Sequence, residues 1–407
     1  MKISGTSPFP PALLEKLNQR DPADPLKILL VHGSHTGGHR SAARSLAQAL
    51  NELPNVQARE LDTLDVSSPR MVKAQKGFFG LVSEKLPALR RWGFRLALQG
   101  SPLASWAGTA VLKAKAAFSP GVLHAIQRES PDLVVSTHSQ TNAMLSHWKQ
   151  AGKLDMPVHS VPTDFMAHAI WAQDQVDRYY VAAEPTRQDL ARLGVDPSRV
   201  SVTGIPISPA FAHQPDESRE ALSARLGLDS KLPTVLLMGG SLGLQPYEKL
   251  IEALEASPYP MQVVAITGRN QEAKARLEQM QGSTRHPLHV QGFVSNSADW
   301  MRAADVVVSK PGGLTLSELL ALRKPVIVTN PVPGMEEAQV QRLAGVAWSA
   351  PDVDGMRAQV EQLLSDPAAR AEVERTMDAL SRPASSYDVA ARVAAAALDS
   401  AEAPQAR

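Results

Sequence analysis

Leu26-Lys27-Ile28-Leu29-Leu30-Val31-His32 runs directly into Gly33-Ser34-His35-Thr36-Gly37-Gly38-His39 and then into an Ala/Leu-rich helical stretch. About two hundred residues later the pattern returns. Val235 to Met238 leads into Gly239-Gly240-Ser241-Leu242-Gly243, and further on Ser309-Lys310-Pro311-Gly312-Gly313-Leu314-Thr315 repeats the strand–turn–helix grammar. Glycines let backbone approach a ligand closely, and a helix amino end offers free amides to an anion. Two such units at this separation predict two similar α/β halves facing one another across a cleft. They point to chemistry on a nucleotide, most simply group transfer.

Working outward, short β-rich runs alternate with helical ones. Strands are expected at Leu26–His32, Leu133–Ser136, Val158–Val161, Arg178–Ala182 and Val200–Thr203. Helices are expected at Ser41–Leu50, where Ala42, Leu46 and Leu50 share a face, and at Thr141–Lys149 and Glu184–Leu193. Gly204-Ile205-Pro206-Ile207-Ser208-Pro209 reads as a linker, because its prolines disfavour regular structure. The alternation then restarts with strands at Val235–Met238, Val263–Thr267, Leu288–Gln291, Val306–Ser309 and Val326–Thr329. Helices fall between them, notably Leu314–Leu322 and Glu336–Leu343. Continuous apolar strands alternating with helices argue for doubly wound parallel sheets covered on both faces. The expected domains are 1–207 and 208–380, with 381–407 a helical tail, Val389–Leu398 at its centre, packing back on the first. Residues 1–24, punctuated by Pro and Asp, read as a loose arm.

A chain of 407 residues exceeds one ordinary core, which also favours two domains. Apolar residues make up 43% and charged residues 20%, the profile of a water-soluble globular protein. Net charge of +1 gives no global reason to expect a nucleic-acid partner. The absence of cysteine removes disulfides, thiolate nucleophiles and cysteine zinc sites together. No secretory leader and no membrane-spanning run is legible, so a cytoplasmic location is expected.

Three loops carry the candidate nucleotide chemistry. In Lys310–Glu318 a strand ends at Ser309 and a helix starts at Leu314, so Gly312, Gly313, Leu314 and Thr315 present amides and a dipole suited to a diphosphate. Glu318, one turn further, is placed to accept from ribose hydroxyls; read blandly, it is a solvent-facing Glu after a tight turn. Gly240 and Ser241 form a second amide nest, and Arg269 follows the Val263–Thr267 strand on the same carboxyl edge, where doubly wound sheets bind ligands. His39 opens a helix on the first half's edge, and an imidazole there can accept a proton near neutral pH. The competing reading of His39 is a helix-start residue bonded to backbone. His32, His35 and His39 match no standard zinc spacing, so no metal is expected. Asp352-Val353-Asp354 has the spacing of metal-holding carboxylates but sits before a helix, with Asp354 at the N-cap.

Residues 67–118 differ in kind: nine Lys/Arg stand against Glu84 alone, a local charge of +8. Phe78, Phe79, Trp92, Phe94 and Trp106 are interleaved with Arg90, Arg91 and Arg95. Cationic helices with aromatic faces lie in anionic membrane interfaces, which makes peripheral membrane contact the expectation.

The motifs Gly37-Gly38-His39-Arg40-Ser41-Ala42-Ala43, Pro162-Thr163-Asp164-Phe165 with His168 and Trp171, and Gly204-Ile205-Pro206-Ile207 resemble the monogalactosyldiacylglycerol synthase and processive diacylglycerol glucosyltransferase group. Gly239-Gly240-Ser241, Gly268-Arg269-Asn270, Gly292-Phe293-Val294 and Lys310 to Glu318 resemble the nucleotide-sugar half of glycosyltransferase family 28. The resemblance implies a GT-B fold, two Rossmann-like domains with UDP-sugar on the second and acceptor on the first. It implies metal-independent, inverting transfer of a hexose to a hydroxyl of diacylglycerol or a related glycolipid, at the inner face of a membrane. Phe293 and Val294 would flank uracil, Glu318 would hold the ribose, and Ser241, Gly312, Gly313 and Leu314 would line the diphosphate. His39 matches the loop histidine proposed as base, with Asp164 its rival; Gly38, Asp164, His168 and Trp171 would lie on the acceptor side.

The sugar-contacting loop departs from the family. It reads Gly334-Met335-Glu336-Glu337-Ala338-Gln339, keeping Glu336, with Met335 in place of Gln and Gln339 in place of Asn. A thioether makes none of an amide's hydrogen bonds to sugar hydroxyls, which leaves the sugar open. The same scaffold serves nucleotide-sugar epimerases, and a non-catalytic UDP-sugar or membrane-binding module is the third reading.

Overall fold

The structure is a computed structural model and describes residues 7–33, 37–67, 119–213, 216–331 and 335–402. The basic aromatic segment, with Phe78, Phe79, Arg90, Arg91, Trp92 and Arg95, lies outside the described residues, as does His35.

The chain divides into two compact units, one of residues 1–209 with 384–407 and one of residues 210–383. In the first, α1 (Pro11–Asn18) precedes β1 (Leu26–His32), α2 (Gly37–Asn51) and β2 (Val56–Asp62). Then come α3 (Pro120–Glu129), β3 (Leu133–Ser136), α4 (Ser139–Gln150), β4 (Val158–Ser160), β5 (Arg178–Val181), α5 (Glu184–Arg192) and β6 (Val200–Val202). The strands form one sheet in the order β2-β1-β3-β4-β5-β6, every pair parallel. β1 shows why: six of its seven residues are buried, since helices cover both faces of such a sheet.

The second unit repeats the plan. Its strands are β7 (Thr234–Met238), β8 (Gln262–Ile266), β9 (Leu288–Gln291), β10 (Val306–Ser309), β11 (Val326–Val328) and β12 (Trp348–Ser349). They pair in parallel in the order β12-β11-β10-β7-β8-β9. Its helices are α6 (Arg219–Leu226), α7 (Tyr247–Glu255), α8 (Gln271–Met280), α9 (Ser297–Ala303), α10 (Gly313–Leu322), α11 (Met335–Arg342), α12 (Val353–Ser365) and α13 (Pro367–Asp378). In both sheets the order reverses beside a central strand, the topology that opens a ligand crevice at the carboxyl ends.

The last helix, α14 (Ser385–Glu402), belongs to the first unit and packs along α2. Ser385 Oγ donates to the Ile205 carbonyl at 2.8 Å, and Ser386 Oγ donates to that of Ile207. These bonds satisfy carbonyls in a proline-interrupted stretch that has no ladder of its own.

Two expectations are corrected. Within the expected loose arm, the described residues 7–24 are ordered: α1 forms, Leu13 and Leu17 are buried, and Phe9 meets Tyr387 edge-on at 5.4 Å. The N-cap of α12 is Asp352 rather than Asp354; its Oδ1 accepts from Gly355 N at 2.7 Å.

Candidate functional site

In the second unit three loops converge at the carboxyl edge. After β7 the chain turns at Gly240 (φ +69°) and Gly243 (φ +59°), and the turn closes as Gly243 N and Leu244 N donate to the carbonyls of Gly240 and Gly239. The loop after β8 packs onto it so tightly that a Cβ on Gly268 would lie 2.7 Å from the carbonyl oxygens of Gly240 and Ser241. Arg269 N donates to Ser241 O at 3.0 Å, joining the two loops. Only glycine permits this approach with a left-handed backbone.

The third loop, Lys310 to Gly312, follows β10 and leads into α10. Among the described residues no side chain caps α10, whose N-cap is Gly312. The amides of Gly313, Leu314 and Thr315 are therefore left for a ligand or water. A Cβ on Gly312, at the head of the helix, would meet nothing within 4 Å. Glu318 sits one turn along the same helix, and burial pushes its carboxyl pKa up to about 8. A carboxyl so weakly solvated gains much from hydroxyl donors.

The expected sugar loop is held from behind. Lys310 Nζ pairs with Glu336 at 2.7 Å, and the buried Gln339 donates its amide to the Pro311 carbonyl. Gln339 thus braces the Lys310–Gly312 turn from inside. Phe293 is 59% exposed beyond β9, with the Arg269 guanidinium 5.3 Å from its ring centroid. Val294 beside it is half-buried.

In the first unit the edge is built on side chains. Gly38 and His39 lie in the first turn of α2; a Cβ on Gly38 would meet nothing within 4 Å. His39 Nδ1 lies 2.8 Å from the Thr137 carbonyl, just after β3, and 2.6 Å from Thr163 Oγ1, just after β4. Thr137 Oγ1 in turn donates to the His39 carbonyl at 2.9 Å. The His138 ring stands edge-on to that of His39, centroids 4.8 Å apart. Burial lowers the His39 pKa to about 4, the Thr137 carbonyl opposes this, and His32 adds a smaller lowering. The imidazole is therefore neutral throughout the physiological range.

Of the other residues expected on the acceptor side, Asp164 is half-buried next to Thr163. His168 is buried, and burial followed by the influence of His39 lowers its pKa to about 4. Trp171 is 1% exposed and packs in the core with Trp148, Val176 and Tyr179. Its carbonyl receives Asn142 Nδ2 at 2.9 Å, so it anchors the loop that carries Asp164 and His168. His32 lies 3.6 Å from Glu60 and 3.7 Å from Asp62. No group of three or more potential metal ligands gathers among the described residues.

Sequence reasoning missed Thr137 and Thr163 as partners of His39, Gln339 as a brace and Lys310 as the partner of Glu336. For the threonines the signal was position, each following the end of a strand on the sheet's carboxyl edge, and for Thr163 also its place in the Pro162-Thr163-Asp164-Phe165 motif.

Residues 39–207 match the family model for monogalactosyldiacylglycerol (MGDG) synthase, and residues 218–377 match that for group 1 glycosyl transferases. The chain is 36% identical over 213 residues to the processive diacylglycerol beta-glucosyltransferase of Bacillus pumilus, a match covering 52% of this chain and 54% of the relative. Against the same-named protein of Bacillus cytotoxicus it is 30% identical over 316 residues, covering 76% of this chain and 78% of the relative. Among solved structures it resembles the glycosyltransferase of kitacinnamycin, with a TM-score of 0.58 and 17% identity over 91% of this chain and 99% of the other. That likeness supports the two-domain GT-B fold.

Proposed function

Because the chain belongs to the monogalactosyldiacylglycerol synthase and processive diacylglycerol glucosyltransferase group, we propose that it moves a hexose from a UDP-sugar to a hydroxyl of diacylglycerol or a related glycolipid. The observation that carries this reading is the uncapped start of α10, with room for a Cβ at Gly312 and the poorly solvated Glu318 carboxyl one turn away. Amides suit a diphosphate and the carboxyl suits a vicinal diol, and a nucleoside diphosphate has both.

The second unit binds the donor. The amides of Gly313, Leu314 and Thr315, with Gly240, Ser241 and Arg269, take the diphosphate; Glu318 takes the ribose; Phe293 and Val294 take the base. Glu336, released from Lys310, orients the sugar, and Lys310 is then free to meet phosphate charge. The first unit supplies the base. As the acceptor oxygen bonds to C1 of the sugar, the bond from C1 to the phosphate oxygen breaks and its electron pair leaves with UDP. His39 Nε2 takes the hydroxyl proton, with Asp164 the alternative. Electrostatic stabilisation of the departing diphosphate is the largest expected contribution. Inversion follows from a single in-line displacement.

Acceptor lipids lie in a membrane, and no helix among the described residues is long and apolar enough to cross one. The +8 segment of residues 67–118 has the charge for peripheral attachment to an anionic inner-face surface. The test is calorimetry with UDP, followed by UDP-sugars presented with lipid extracts and read by mass spectrometry. UDP uptake and a hexosylated lipid are expected. Epimer formed from UDP-sugar without lipid, or no uptake of UDP, would overturn the proposal.

A further inference from the structure

We propose that Thr163 is a positioning residue for the transfer: with the Thr137 carbonyl it holds His39 in the tautomer protonated at Nδ1, leaving Nε2 as the bare nitrogen. This rests on the reading of His39 as the base, but the tautomer itself is a property of the resting protein. A carbonyl oxygen only accepts, so the 2.8 Å contact from Thr137 requires a hydrogen on Nδ1. Thr163 Oγ1, 2.6 Å from the same nitrogen, then accepts from that N–H as a second centre and aims its own hydrogen elsewhere. The opposite assignment, a hydroxyl donating to bare Nδ1, would set the nitrogen lone pair against the Thr137 carbonyl at 2.8 Å. That arrangement is repulsive.

The surroundings reinforce the choice. Thr163 is 4% exposed, which limits its freedom to turn away. The reciprocal bond from Thr137 Oγ1 to the His39 carbonyl locks the two segments together, and the His138 ring edge crowds the imidazole. Two neutral oxygens from two strand ends do here what a carboxylate does for many catalytic histidines: they fix which nitrogen is free. When Nε2 takes a proton, the developing charge is shared with an N–H already aimed at both oxygens.

The test uses the full chain labelled with ¹⁵N, long-range proton–nitrogen correlation of the histidine rings, and His39→Gln to assign the signals. A pyrrole-type Nδ1 and a pyridine-type Nε2 are expected for His39 in the wild type. Thr163→Val should blur that pattern and lower kcat about tenfold, with KM for the UDP-sugar unchanged; Thr163→Ser should restore both. A protonated Nε2 in the wild type, or a folded Thr163→Val with unchanged ring signals and turnover, would overturn the assignment. Should Thr163→Val fail to fold, the wild-type spectrum decides, with Thr163→Ser required to keep it. Absence of any transfer would defeat the proposed activity while leaving the ring signals to decide the tautomer.

Discussion

The carboxyl edges of the two sheets begin from the same device and end in opposite chemistry. After β1, glycines lead into α2, whose first turn carries an imidazole tied to two threonines. After β10, glycines lead into α10, whose first turn carries no capping side chain and leaves its amides open. One edge presents a side chain suited to taking a proton; the other presents main-chain amides suited to an anion. What decides is the residue placed in the first helical turn and the neighbours that fix it, since the strand–turn–helix frame is common to both.

The sharpest way to break the comparison is at His39. If the first edge is the proton acceptor, His39→Ala should lower kcat by ~10²–10⁴-fold while UDP affinity, a property of the other edge, stays unchanged. Turnover alongside calorimetry reads both at once. A parallel loss of UDP affinity would mean the two edges do not divide the work.

The edges also differ in the sign of their pH response. His39 and His168 both have pKa values lowered to about 4 by burial. An unfolded imidazole takes up a proton near 6.5, so folding stability at this edge is complete above that value and is lost as pH falls toward 4. Glu318 behaves oppositely. Its carboxyl is raised to about 8 from an ordinary 4.5, so the folded state keeps a proton that the unfolded chain releases, and stability falls as pH rises through that window. Glu318→Gln should therefore raise the melting temperature at pH 8 to 9 and change it little near pH 4. The same substitution should weaken UDP binding by ~1–3 kcal/mol. Melting curves against pH would show whether the slopes run in opposite directions.

Glycines on the second unit's edge differ from one another as well. A Cβ on Gly239 would lie 2.6 Å from Leu244 N and from the Tyr247 hydroxyl, so Gly239→Ala should destabilise the unit by ~1–3 kcal/mol. Gly312→Ala has room for its methyl, at a backbone φ of −70° that any residue adopts. It should leave the melting temperature alone and weaken UDP about tenfold by filling the space before the amides. Unchanged UDP affinity in Gly312→Ala would detach that space from the ligand.

The frame was legible because it is written in local pattern. β3, β9 and β10 form as read, residue for residue: β3 and β10 are short buried runs, LVVS and VVVS, and β9 alternates apolar and polar residues, LHVQ. What the sequence concealed depends on distant contacts. α1 reads as a loose arm in any window, yet Phe9 finds Tyr387 from the far end of the chain. β2 gives little signal because Gln57, Arg59 and Glu60 leave it only one fully buried residue, Ala58. The same holds for the site. His39 is visible as a residue type, but its partners lie 98 and 124 residues away, and only the sheet brings them to one edge. Gln339 is visible as a residue of the expected sugar loop, but its bond to the Pro311 carbonyl, 28 residues away, is not.

The smallest expected effect guards the comparison against a third centre. Asp352-Val353-Asp354 has the spacing of metal-holding carboxylates, and a metal there would move part of the diphosphate chemistry away from the amides of α10. Both carboxylates already have local tasks. Asp352 Oδ1 accepts from Gly355 N at 2.7 Å, and Asp354 lies 3.4 Å from the Arg357 guanidinium on the next turn. Asp352→Ala should therefore cost ~0.5–2 kcal/mol of stability, as the loss of an N-cap does, and leave transfer untouched. A collapse of turnover in a stably folded Asp352→Ala would instead assign the diphosphate to a carboxylate-held cation, and the division between a side-chain edge and a main-chain edge would no longer describe this protein.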